Sequence, residues 1–299
     1  MDFGDFFEGI LVIFWGILMV FSERLTMHKN IILSGVGGQG ILTISYIICN
    51  AALKVGWNFK QAEVHGMSQR GGAVQAHLRL SDNSISSDLI PLGKADLLLS
   101  VEPLETLRYV QYLAPDGFVV AGTTPYINIP NYPALDDVLD RIASIKNHVL
   151  IDSESVARVA GSVRAQNVVM LGAASDYIGL EIDNLKQFVA ELFADKGDKV
   201  IDVNKKALDL GRNVSRFFTA CIAAGIDPLA TRLLSAKAHP ESLDIESIPA
   251  WDKAFDANRA VLIEALTGMQ EPFQATRNKA ELLSKACADP SKVNEILAS

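Results

Sequence analysis

Residues 31 to 40, Ile-Ile-Leu-Ser-Gly-Val-Gly-Gly-Gln-Gly, carry an apolar, β-branched run straight into a glycine loop, and Ile41 to Val55 continues with helical spacing. A strand, a tight turn and a helix in direct succession form the opening unit of an α/β sheet. Gly35, Gly37 and Gly40 take the glycine positions of G-x-G-x-x-G. Glycine enters φ > 0 without a steric penalty and lets backbone approach a ligand, while the free amides of a helix start can hold an anion. A phosphate therefore fits this loop, with Gly38 and Gln39 between the spaced glycines. A dinucleotide site also needs an acid about 20 residues further on for the ribose. Val55, Gly56 and Trp57 stand there, and Glu63 arrives late. The loop reads first as a tight turn, or a turn against a partner, and second as a dinucleotide site.

At 299 residues the chain can bury one large core with a smaller appendage. Its apolar content of 49% is that of a globular protein, and its net charge of -8 argues against nucleic-acid binding, which needs a basic footprint. Cys49, Cys221 and Cys287 are widely spaced and form no C-x-x-C pair, a pattern of reduced, buried thiols that points to the cytoplasm. An ordinary iron–sulfur cluster takes four cysteines. With three in the whole chain, none is expected to be held by this chain alone, and no metal site is expected either.

Ile10 to Phe21 is a continuous apolar run, but Asp2, Asp5 and Glu8 precede it where a signal peptide would carry basic residues. It is also short of the roughly 20 apolar residues a spanning helix requires. The reading is that residues 1–26 are an extension ahead of a natural start at Met27, since Met27-His28-Lys29-Asn30 leads directly into the first core strand. If the segment is native, a membrane-surface anchor is the next candidate. The intact mass of the native protein separates the two.

Along the rest of the chain, Asn58 to Val64 reads as a strand. Ala73 to Leu80 alternates, with Val74, Ala76, Leu78 and Leu80 on one face and Gln75, His77 and Arg79 on the other. Ser81 to Ser84 has turn chemistry, so Ile85 onward is expected to return as a hairpin partner in an antiparallel part of the sheet. Leu97 to Val101, Phe118 to Ala121 and Val149 to Asp152 read as strands of a resumed β–α–β rhythm, with a helix from Pro103 to Leu113 and a turn at Pro115-Asp116-Gly117. Gly122 to Pro133 holds three prolines and no periodicity, which reads as a long surface loop with a role in contacts or function. Helices follow over 154–160, 167–177 and 183–193. Lys199 to Val203 is a possible last strand, with Asn167 and Asn204 as helix caps. Residues 213–299 read as helices punctuated by prolines. The expected fold is thus α/β, a Rossmann-like sheet with mixed strands over 27–212, with an α-helical C-terminal extension over 213–299.

A second glycine loop, His65-Gly66-Met67-Ser68-Gln69-Arg70-Gly71-Gly72, joins two predicted strands. It sets an imidazole, a thioether, an amide and a guanidinium on one short segment, and Arg70 offers a planar fork of donors for a carboxylate or phosphate. Read alone, Arg70 is a surface arginine, and His65 is a hydrogen-bonded group before it is a catalytic base. Glu102 and Glu105 stand near a helix start, where they favour its dipole.

The two loops, Ala95-Asp96-Leu97-Leu98-Leu99 with Glu102 and Glu105, Asn167-Val168-Val169-Met170-Leu171-Gly172-Ala173 and Asp202-Val203-Asn204 occur in that order. In this the chain resembles the gamma-type domain of the 2-oxoacid:ferredoxin oxidoreductases over about residues 30–212. Within that family it is most similar to the stand-alone subunits of the indolepyruvate branch, through Glu63 to Arg70 and Tyr109-Val110-Gln111-Tyr112-Leu113. The resemblance implies a subunit without a cofactor of its own, completed by a large partner carrying thiamine diphosphate, Mg and [4Fe-4S] clusters. The complex would decarboxylate a 2-oxoacid, reduce ferredoxin and pass the acyl group to coenzyme A. The chain shows no Gly-Asp-Gly of the thiamine-binding kind, in keeping with that division. The implied cofactor or partner contacts are Gly35, Gly37, Gly38, Gln39, Gly40, His65, Met67, Ser68, Gln69, Arg70, Gly71 and Asn167. A free-standing dinucleotide-binding oxidoreductase, or another 2-oxoacid such as pyruvate, is the alternative.

Overall fold

The computed structural model describes residues 27–65 and 71–299. Strand β1 (His28–Val36) enters helix α1 (Ile41–Lys54) through the first glycine loop. Strands β2 (Asn58–His65) and β3 (Ala73–Ser81) follow, then β4 (Ala95–Ser100), α2 (Pro103–Tyr109), β5 (Leu113–Gly122), α3 (Leu135–Ala143) and β6 (His148–Ile151). They form one sheet of order β2-β3-β1-β4-β5-β6. The strands β1, β4, β5 and β6 are parallel, whereas β3 runs antiparallel to both β1 and β2. The mixed Rossmann-like sheet expected from the sequence is therefore present. Helices α4 (Ser153–Ala160), α5 (Gln166–Ile178), α6 (Ile182–Leu192) and the long α7 (Asp198–Ala223) complete this part. The chain then becomes helical in α8 (Pro228–Lys237), α9 (Ile248–Gly268), α10 (Arg277–Ala286) and α11 (Pro290–Ala298).

Both faces of the parallel strands are covered, which is why β1 and β4 read as unbroken apolar runs. Ile31 and Leu33 meet α1 and α5 on one face; Ile32 and Leu98 meet α3 and Phe218 of α7 on the other. A third cluster, built on Phe217, Trp251, Leu262 and Leu283, sits among the C-terminal helices. Neighbouring residues of α7 thus feed different cores. The crossing of α5 and α7 is so close that a Cβ on Gly172 would fall 2.0 Å from the Leu208 carbonyl, and one on Gly211 would fall 2.1 Å from that of Val169. No side chain permits that approach.

Five expectations need correction. Ile85 begins no strand, because both edges of β3 are already taken by β1 and β2. Side chains hold the segment instead: Lys60 donates to the Ser86 carbonyl, Arg79 to those of Ser87 and Leu89, and Ile90 N–H to His77 Nδ1. His77 and Gln75 are buried as a result, so the alternation of β3 marks two covered faces rather than a wet one. Lys199 to Val203 lies inside α7. A β-branched run costs only about 0.5 kcal/mol per residue in a helix, less than the packing of Val203 against Gly161 and the buried row Ala207, Leu208, Gly211 and Val214 that continues it. Asn204 is consequently no cap; it donates to the Val200 carbonyl one turn back. The helix from Pro103 ends at Tyr109, and Pro115-Asp116-Gly117 is a bulge within β5, whose register jumps between Ala95 and Leu97. The expected extension over residues 1–26 lies outside the described residues. Among the described residues no helix is long and apolar enough to cross a membrane.

Candidate functional site

The C-terminal ends of β1 and β4 open into a cleft of about 400 Å³, the position where open α/β sheets bind ligands. Its floor is Gly38, Gln39, Gly40 and Val101; one wall is Thr124, Pro125 and Tyr126; the other is Glu154, Val163, Arg164, Gln166 and Asn167. Gly40 caps α1 in the left-handed region (φ 79, ψ 29) and has no side chain to satisfy the helix. The first amides of α1 are left to whatever enters the cleft. Gln39 serves the loop itself: its Oε1 accepts from Val36 N–H at 2.7 Å and its own N–H donates to the Val36 carbonyl at 3.0 Å.

Asn167 is not a helix cap either, since Ala165 holds that place. It is a clamp on the glycine loop. Its Nδ2 donates to the Gly40 carbonyl at 3.4 Å, and a Cβ on Gly40 would lie 2.4 Å from that nitrogen. The second loop joins the first through its last residues: Gly37 N–H donates to the Gly72 carbonyl at 2.8 Å and Gly71 N–H to the Gly37 carbonyl at 3.3 Å. Asn128 donates from its side chain to the Gly71 carbonyl. His65 ends β2 opposite Val74. Gly66, Met67, Ser68, Gln69 and Arg70 lie outside the described residues. Of the sequence-derived set, the structure brings Gly37, Gly38, Gln39, Gly40, Gly71 and Asn167 to one place; Gly35 lies under it, against Gln39 and Ile41.

Much of the cleft lining is not marked as contacts by the sequence, Tyr126, Arg164 and Gln166 among it, and Glu102 stands behind Tyr126. Arg164 is exposed on the short turn ahead of α5, and the cleft's own carboxylate, Glu154, pairs with Arg158 instead. Glu102 is 1% exposed and caps α2, its Oε2 accepting from Glu105 N–H at 2.8 Å. Its Oε1 accepts from Tyr126 N–H at 3.3 Å and from the Tyr132 hydroxyl. Burial and Glu102 push the Tyr132 phenol up, so it stays protonated and donates. Beside it, burial raises Glu105 to about 7, against the opposing pull of Arg108 at 3.2 Å. Glu102 follows the end of the parallel neighbour of β1, where a dinucleotide fold places its ribose acid. Its oxygens are already engaged by protein donors, which weighs against that use.

The three cysteines are free and buried, and burial lifts Cys49 to about 11 and Cys221 to about 12, far from a reactive thiolate. Among the described residues, no group of three or more His, Cys, Asp or Glu side chains could hold a metal ion.

The family described as pyruvate ferredoxin/flavodoxin oxidoreductase matches residues 30–214. The chain belongs to this family. It is 37% identical to the indolepyruvate oxidoreductase subunit IorB of Archaeoglobus fulgidus over 196 residues, 62% of this chain and 95% of the relative. To the subunit IorB of Pyrococcus horikoshii it is 38% identical over 192 residues, 61% of this chain and 93% of the relative. The fold is shared with a 2-oxoglutarate:ferredoxin oxidoreductase from Magnetococcus marinus at a TM-score of 0.52 and 20% identity. That match covers 63% of this chain and 31% of the other. The protein is thus a subunit of a 2-oxoacid:ferredoxin oxidoreductase, and the cleft lies within the family segment.

Proposed function

We propose that the chain is the small subunit of an indolepyruvate or aryl-pyruvate:ferredoxin oxidoreductase, and that the cleft beside Gly38 to Gly40 holds the phosphate end of coenzyme A. One observation carries the second part: an uncapped helix start, left-handed glycines and the exposed Arg164 guanidinium converge on one polar cleft at the sheet's C-terminal edge. Each stabilises negative charge, and an anion at such a helix start gains about 0.3–1 kcal/mol from the dipole alone. The Magnetococcus enzyme has been solved with 2-oxoglutarate, coenzyme A and succinyl-CoA bound, which supports the reading. Indolepyruvate is favoured because relatives bearing that name match over nearly their whole length.

In this reading thiamine diphosphate, Mg and the [4Fe-4S] clusters reside in a large partner subunit, which also delivers electrons to ferredoxin. This chain's residues bind and orient the thiol acceptor. Glycine amides and Arg164 take the phosphates, Asn167 holds the loop in shape, and the second glycine loop, with His65, Met67, Ser68, Gln69 and Arg70, faces the partner. Residues 213–299, which begin inside α7, form an appended helical region, and the assembled enzyme works in the cytoplasm. Equilibrium binding of coenzyme A to the purified two-subunit complex tests this. Arg164→Ala should weaken it about tenfold, as expected for loss of a charge-assisted contact worth about 1.5–3 kcal/mol. Unchanged affinity in Arg164→Ala and Gly40→Ala together would place the acceptor elsewhere.

A further inference from the structure

The stretch between β5 and α3 has no regular structure, yet it is tied down at both ends of a short strap. Glu102 grips it twice, through Tyr126 N–H and the Tyr132 hydroxyl, and Asn128 fastens its middle to the Gly71 carbonyl. Gly71 is itself bonded to Gly37. Hydrogen bonds at three points, joined by the strap's own backbone, therefore link a buried carboxylate to the first glycine loop. At one end of this strap Tyr126, 44% exposed, stands as a wall of the cleft, with Pro125 and Val163 giving further apolar lining. A half-exposed aromatic ring set beside an anion-holding loop is the arrangement that takes a planar base joined to a phosphate.

We propose that Tyr126 is a specificity-determining residue that stacks on the adenine ring of the acceptor, and that Glu102 is the positioning residue that strings it there. The proposal rests on the reading of the cleft as a coenzyme A site and adds which part of the ligand meets which wall. A carboxylate suits the task because it accepts from several donors at once, and charge-assisted bonds are the stronger kind. Burial keeps water from competing for them.

Two arms, both on the two-subunit complex, test it. The first needs no ligand: amide exchange is followed in Tyr132→Phe and Glu102→Gln. The Tyr126 amide should exchange about tenfold faster or more, since a hydrogen bond to a charged group is worth about 1.5–3 kcal/mol, while amides of β1 and β5 stay protected. Exchange unchanged at Tyr126 would overturn the role of Glu102. The second arm compares coenzyme A with pantetheine, which lacks the adenine. Tyr126→Ala should raise KM for coenzyme A about tenfold, on the scale of about 1–3 kcal/mol per stacked base, with no such rise for pantetheine, and Tyr126→Phe should restore the preference. An equal loss for both acceptors would overturn stacking. A wild-type complex that uses neither would overturn the cleft reading and the ring's role with it, while the exchange arm still decides what Glu102 holds.

Discussion

The sheet-bearing part of the chain, up to Val214, and the helical part beyond it solve the same burial problem in different ways. In the first, backbone approaches backbone or turns against steric preference, and only glycine permits it at Gly40, Gly172 and Gly211. In the second, helices are bounded by generic caps, Asp227, Thr276 and Asp289, and are packed by large side chains around Trp251. Its buried Lys279 serves the Leu297 carbonyl at the end of α11 rather than a cleft. In the sheet-bearing part, buried Glu102 holds Tyr126 at the wall of the cleft and Asn167 holds the glycine loop on its floor. What distinguishes the functional region is therefore where buried polar atoms point, since both regions bury them.

The contrast can be broken by substitution. Trp251→Ala should cost the most, about 3–5 kcal/mol, because it empties the centre of the helical core. Since α7 contributes to all three cores, that loss should appear as a shift of one urea transition; two separated transitions would show the regions to be independent. Gly211→Ala should cost about 1–3 kcal/mol by forcing α5 and α7 apart. By contrast Gly268→Ala, where an added Cβ meets nothing within 4 Å, should stay within about 0.5 kcal/mol. Equal effects would remove the close-approach argument.

A pH experiment sharpens the same distinction at the site. Burial raises Glu105 from 4.5 to about 7, so the folded state binds its proton more tightly than the unfolded state does. The sign follows: stability from this group is greatest below about 4.5 and is lost as pH rises through about 7. Glu105→Gln should remove that slope and leave the variant more stable than the parent, on the order of 2 kcal/mol, at about pH 8 relative to about pH 4.5. Parallel stability curves for the two proteins would contradict it. A smaller loss, about 1 kcal/mol in the same unfolding assay, is expected in the helical region, where Asp227→Ala removes a cap.

The legible parts of the fold are those whose cause is local. The strand–glycine–helix unit at 31–55 is dictated by β-branching, a required left-handed residue and helical spacing, all within one segment, and the prolines of 122–133 mark an irregular loop. The illegible parts have causes at a distance. Ile85 lacks a strand because the edges of β3 are filled by segments the turn signal cannot see, and Lys199 to Val203 is helical because α5 needs a long partner. Glu102 shows the same limit within the site. Its cap to Glu105 is three residues away and readable, but Tyr126 and Tyr132 lie 24 and 30 residues on, and only the fold brings them together. Arg164 carries no sequence signal at all, because an isolated exposed arginine gains meaning only from the cleft it borders.

The most direct test of the central claim is dye reduction by the anaerobically purified two-subunit complex, measured with an aryl 2-oxoacid in the presence and absence of coenzyme A, beside the isolated chain. The account predicts that the complex reduces viologen in a 2-oxoacid-dependent and coenzyme A-dependent manner, that indolepyruvate is preferred, and that the isolated chain is inert. Turnover by the isolated chain, or a complex whose turnover ignores coenzyme A, would contradict it.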